Sequence, residues 1–103
     1  MKLEFAPAGA SVFGKTGTAE VVYHNGPIIS QGTNTELPPF RTLAWFRTEV
    51  AKYEPQQGTM VDTPAVISST FGRGRVMSIS PHPEATPELR SIVGKAINWA
   101  AGP

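Results

Sequence analysis

A small α/β protein, with a largely antiparallel β-sheet closed by a C-terminal helix, is the fold class this sequence predicts. Three observations predict it. Short runs of β-branched and aromatic residues recur between turn residues along most of the chain. Ten glycines and ten prolines punctuate those runs, which favours many short elements over long helices. An apolar pattern takes the helical period only from Thr86 onward.

The elements follow in order. Residues 2–6 alternate polar and apolar and stop at Pro7, as a short strand does. Residues 8–11 read as a turn or one helical turn. The polar stretch Gly14-Lys15-Thr16-Gly17-Thr18 leads into a strand over 19–24, which Asn25-Gly26-Pro27 stops. Residues 29–40 are rich in Ser, Gln, Gly, Thr, Asn and Pro and predict a long exposed loop. Residues 41–50 predict a strand with both faces covered at its centre. A polar turn over 54–58 precedes another strand over 60–69, interrupted by Pro64. Phe71-Gly72-Arg73-Gly74-Arg75 is a tight connection to a strand over 76–80, so these two strands are expected to form a hairpin. Thr86 is placed to cap the closing helix, with Pro87 at its first position and Glu88 near the positive end of its dipole. Leu89, Ile92, Val93, Ala96, Ile97 and Ala100 then share one stripe, and Gly102-Pro103 ends the pattern. Helix signals are absent before Thr86. No repeat, low-complexity tract or linker divides the chain, so residues 1–103 are expected to form one small domain.

Composition narrows the function. A net charge of +1 with scattered Lys and Arg provides no field for a polyanion, so nucleic acid is not an expected partner. No apolar run approaches the roughly 20 residues that span a bilayer. Met1-Lys2-Leu3-Glu4-Phe5 alternates in charge instead of forming a signal-peptide core, and the expectation is a cytoplasmic protein without a membrane partner. Cysteine is absent, which excludes disulfides and thiolate metal sites. His24 with His82 and either Glu84 or Asp62 matches no metal-ligand spacing, and His24 reads as a structural histidine. Gly72-Arg73-Gly74-Arg75 lacks the P-loop lysine pattern and a following helix, so it reads as a turn with solvated arginines. The aromatic residues are too dispersed for a base-stacking platform, and Trp99 is expected to pack near the end of the final helix. No cofactor or metal is expected.

Chemistry concentrates in Ser80-Pro81-His82-Pro83-Glu84. Two prolines stiffen the backbone around a histidine that stands two residues before a carboxylate. In an extended conformation both side chains point to one side, where Glu84 can hold the imidazole tautomer and stabilise the imidazolium. The alternative is a plain turn before a helix, and the spacing leaves both open.

Residues 59–102 resemble the C-terminal part of class I glutamine amidotransferase-like domains, in the branch related to the N-terminal domain of eukaryotic biotin-protein ligases. The resemblance rests on the hairpin Phe71-Gly72-Arg73-Gly74-Arg75-Val76, the His82-Pro83-Glu84 turn and the closing helix. Glu20-Val21-Val22-Tyr23-His24-Asn25-Gly26-Pro27 is similar to the Tyr-Tyr-Asn-Gly-Gly-Pro type segment of that branch, with His24 replacing the second tyrosine and one glycine missing. The resemblance implies the second half of a flavodoxin-like domain, with His82 as base and Glu84 as orienting acid of a Cys-His-Glu triad. In that family the nucleophile sits on a strand-to-helix elbow and the oxyanion donors on a glycine-rich segment, both in the first half, and this sequence supplies neither.

The expectation is a catalytically incomplete module retaining the His82/Glu84 dyad. It is expected to self-associate as a homo-oligomer, or to pair with a chain supplying the missing N-terminal half, because losing the first half exposes a sheet edge and an apolar face. Two alternatives remain. One is a small interaction or scaffold module with a vestigial site. The other is a small serine-dependent hydrolase using His82 with Ser68, Ser69, Thr70, Ser78 or Ser80, although none sits in a Gly-x-Ser-x-Gly elbow.

Overall fold

In the computed structural model, which describes residues 1–23, 27–30, 38–48 and 60–102, the apolar alternation of the sequence is resolved into five strands and two helices. The strands are β1 (Lys2–Phe5), β2 (Thr18–Glu20), β3 (Arg41–Phe46), β4 (Pro64–Phe71) and β5 (Gly74–Ile79); the helices are α1 (Pro7–Phe13) and α2 (Ser91–Ala101). Single 3₁₀ turns at Pro83–Ala85 and Pro87–Leu89 join β5 to α2. All pairings are antiparallel, in the order β2-β1-β3-β4-β5. The sheet class and the closing helix agree with the sequence reading. His24, Asn25, residues 31–37 of the expected loop and the expected turn at 54–58 lie outside the described residues.

The β4–β5 hairpin forms as expected, with Phe71 opposite Gly74 across Gly72-Arg73. Gly72 has φ 59°, a left-handed value that a side chain disfavours. Pro64 starts β4, where its missing N–H does least harm to the ladder. Between Thr42 and Trp45 the β3–β4 register is irregular, and the successive residues Leu43 and Ala44 are both fully buried.

Helix α1 corrects the expectation that no helix precedes Thr86. Pro7 enters the first turn with its φ preset, and Gly14 ends the helix at φ 68°, returning its N–H to the Ala10 carbonyl at 2.9 Å. Too few apolar residues lie in seven positions to show a helical period. Tertiary packing supplies what the pattern lacks: Phe13 is fully buried and meets Phe5 edge-on at 6.2 Å, and Gly9 rests against the backbone of Leu43.

A second correction concerns the start of α2. Thr86 does not cap it; a 3₁₀ turn intervenes and the helix begins at Ser91. Leu89, Ile92 and Ala96 reach the core, whereas Ile97 is 64% exposed, so the buried stripe is narrower than the sequence period implies. Both helices cover the same sheet face. Leu3, Phe5, Phe46 and Val66 of that sheet join Phe13, Leu89 and Ile92 in one core. Lys95 of α2 donates from Nζ to the Phe13 carbonyl at 2.6 Å, placing a cation at the negative end of α1.

The alternate parity of β1 carries polar residues. Arg47 hydrogen bonds Asp62 at 2.7 Å and Glu4 at 3.2 Å, and its guanidinium stands 5.6 Å from the Trp45 ring centroid. The hydrogen bond to Asp62, then that to Glu4, raises the Arg47 pKa above its ordinary value. No described helix is long and apolar enough to cross a membrane.

Candidate functional site

The segment after β5 is held at successive points. Ser80 extends the sheet with its N–H on the Ala65 carbonyl at 2.9 Å, while its hydroxyl donates to the Pro27 carbonyl at 2.6 Å. His82 then forms an isolated antiparallel bridge with Val22, its N–H reaching the Val22 carbonyl at 2.7 Å. Pro83 opens the 3₁₀ turn. Ala85 and Thr86 direct their N–H groups to the carbonyls of His82 and Pro83, at 3.1 and 3.0 Å.

Thr86 closes this arrangement. Its buried hydroxyl accepts from the Val22 N–H at 2.9 Å and donates to the His82 carbonyl at 3.2 Å. One side chain thus joins the residue before Tyr23 to the residue that carries the imidazole. Sequence reasoning assigned Thr86 to a helix cap and missed this role. A signal existed: a Thr four residues after a functional residue can bond back to that residue's carbonyl.

At the front of this frame, His82 Nδ1 lies 2.8 Å from Glu84 Oε1. The contact agrees with the pairing expected from the sequence, but the backbone differs, because Glu84 lies in a 3₁₀ turn instead of an extended segment. An ionised carboxylate only accepts, so in this contact Nδ1 carries the hydrogen and the neutral ring has its lone pair on Nε2. That is the tautomer a general base needs. Side-chain exposures of 36% for His82 and 58% for Glu84 put the pair at the surface. Arg90 donates from Nε to the Glu84 carbonyl at 3.2 Å, steadying the turn from the helix side.

The serines considered as nucleophiles are dispersed. Ser80 is committed to Pro27, Ser69 donates to the Pro39 carbonyl at 3.0 Å, and Ser68 lines a groove beneath the helices that includes neither His82 nor Glu84. Tyr23 is half-buried and edge-on to Phe46, with ring centroids 5.6 Å apart. Trp99 packs near the end of α2, under the guanidinium of Arg75 at 4.0 Å from its centroid. Among the described residues no three His, Asp or Glu side chains gather as a metal site.

No family model, curated protein or solved structure matches the chain.

Proposed function

We propose that this chain is an amidotransferase-like module that carries the base and the orienting acid of a hydrolytic triad, while the thiol nucleophile and oxyanion donors come from another polypeptide segment. The observation that carries the reading is the 2.8 Å contact from His82 Nδ1 to Glu84 Oε1 on a backbone clamped at Val22 and Thr86. In the assembled site, His82 Nε2 takes the proton of a cysteine thiol as the thiolate attacks a carboxamide carbon. The imidazolium then protonates the leaving nitrogen so that the C–N bond breaks and ammonia departs, with Glu84 offsetting the positive charge, and water hydrolyses the resulting thioester to the carboxylate and regenerates the thiol. The absence of cysteine from the sequence makes this a shared site. A cytoplasmic setting, where a thiol stays reduced, suits it.

The test is reconstitution. Mixing the chain with an N-terminal half-domain that bears the cysteine should yield ammonia release from glutamine, absent from either component alone and abolished by His82→Ala. A well-formed complex without activity, or full activity in His82→Ala, refutes the proposal.

A second reading, an interaction module that pairs with itself or a partner, is favoured by one feature. Strand β5 is at the edge of the described sheet, where its own Val76 is 42% exposed and Phe71 at the end of β4 is 77% exposed. In that case His82→Ala leaves association intact and a charge on β5 removes it.

A further inference from the structure

A groove of about 570 Å³ lies between α1 and α2 above β3 and β4, apart from the His82/Glu84 dyad. Its volume is in the range of small-molecule sites. Its chemistry is uneven. Leu43 and Val12 provide apolar surface, Trp99 supplies an aromatic wall, and Arg41 and Lys95 bring two cations; among the described residues no carboxylate lines it. Four of the described acidic side chains are engaged elsewhere: Glu4 and Asp62 with Arg47, Glu20 with the N-terminal ammonium, and Glu84 with His82.

We infer that this groove binds a small organic anion, a carboxylate or phosphate monoester with a flat apolar body. Four observations place the ligand's parts. Arg41 has no salt bridge among the described residues, leaving its planar donor set for an oxyanion. Lys95 spends one N–H on the Phe13 carbonyl and keeps two further donors. Ser68 is only 8% exposed, yet its hydroxyl has no hydrogen-bond partner among the described residues. No described buried side-chain polar atom is left both unpaired and sealed from solvent, so this hydroxyl reaches the groove that Ser68 lines. Finally, the Trp99 ring is steadied by Arg75, which leaves it suited to stack a flat ligand body. The anion sits between Arg41 and Lys95, Ser68 and Asn98 hydrogen bond its polar edge, and the apolar body lies on Leu43 and Trp99.

The site is tested by heteronuclear NMR on the ¹⁵N-labelled chain, titrated separately with phenyl phosphate, benzoate and, as neutral comparison, benzyl alcohol. Saturable shifts of the Trp99 indole N–H and the Asn98 side-chain amide should appear with at least one anion, and the response to benzyl alcohol should be weaker by about tenfold, one charge-assisted hydrogen bond's worth of affinity. A response to phenyl phosphate alone identifies the phosphate class, and one to benzoate alone the carboxylate class. Arg41→Gln, an exposed position, should weaken the anion about tenfold with the spectrum otherwise preserved. Ser68→Val, which fills the groove from a strand position that tolerates branching, should abolish the shifts. Absence of saturable shifts with both anions, equal response to benzyl alcohol, or unchanged affinity in a folded Arg41→Gln overturns the proposal.

Discussion

The N–H of Val22 donates to Oγ1 of Thr86 at 2.9 Å, and through this bond the segment following β2 is tied to the turn that presents the imidazole. Because the same hydroxyl also donates to the His82 carbonyl, replacing it with a methyl leaves the Val22 N–H without its acceptor and removes one of the two described hydrogen bonds that the His82 carbonyl accepts. Thr86→Val keeps the shape of the side chain and should cost about 1–3 kcal/mol of stability. Thr86→Ser, which retains the oxygen, should recover most of it. Urea unfolding measures both, and a Thr86→Val cost below about 0.5 kcal/mol, the level of an ordinary surface change, would contradict the assignment.

Gly9 makes a different demand. It is buried within α1, and a Cβ built on it would collide with the Leu43 carbonyl oxygen, a backbone atom that cannot turn aside. Alanine is otherwise the better helix former. Here Gly9→Ala should therefore destabilise, by about 1–3 kcal/mol as α1 is pushed from the sheet. Gly94, in α2, has open space around its position, so Gly94→Ala should stabilise or be neutral. Thermal unfolding of the two variants side by side checks the contrast, and equal shifts in both would contradict it.

These two positions show why the sequence was legible in some places and opaque in others. The β4–β5 hairpin and α2 were readable because their signals are local: a glycine-containing turn between β-branched runs, and an apolar period over enough residues to be counted. Helix α1 was not, since seven residues with Gly9 at the centre make sense only against Leu43, a contact distant in sequence. The His82/Glu84 pairing was visible from spacing, but the bridge to Val22 and the second use of Thr86 depend on a tertiary fold that no local pattern encodes. The groove residues are also scattered along the chain, from Ala8 to Trp99, with no motif to gather them.

Among the described strands β5 has a neighbour on one side only, with Val76 half in solvent and Phe71 of β4 more exposed beside it. Antiparallel pairing of β5 with its own copy would set two Val76 side chains together and continue the sheet through a two-fold axis. If the chain self-associates in this way, Val76→Lys should convert a dimer to a monomer without loss of secondary structure, because like charges would then face each other at the axis. Light scattering with far-UV circular dichroism reads both quantities. A dimer that survives the substitution, or a wild-type chain that is monomeric at high concentration, excludes β5 as the interface.

The Glu84 carboxylate is the feature that distinguishes a prepared base from an ordinary surface histidine, and it can be tested without any catalytic partner. With Glu84 accepting from Nδ1 at 2.8 Å, the neutral imidazole of His82 should be mainly the Nδ1–H tautomer. Glu84→Ala should return it toward the Nε2–H form. Long-range ¹H–¹⁵N spectra at about pH 9, where ordinary imidazoles are neutral, separate the two nitrogens, and a His24→Gln background leaves His82 as the only imidazole signal because the chain has two histidines. In a reconstituted active complex, Glu84→Gln should lower kcat by about 10²–10⁴-fold, the scale on which loss of the orienting acid or of general-base catalysis is felt. A tautomer unchanged by Glu84→Ala would mean that the contact does not control the ring. In that event the dyad is a surface ion pair, and the interaction-module reading takes its place.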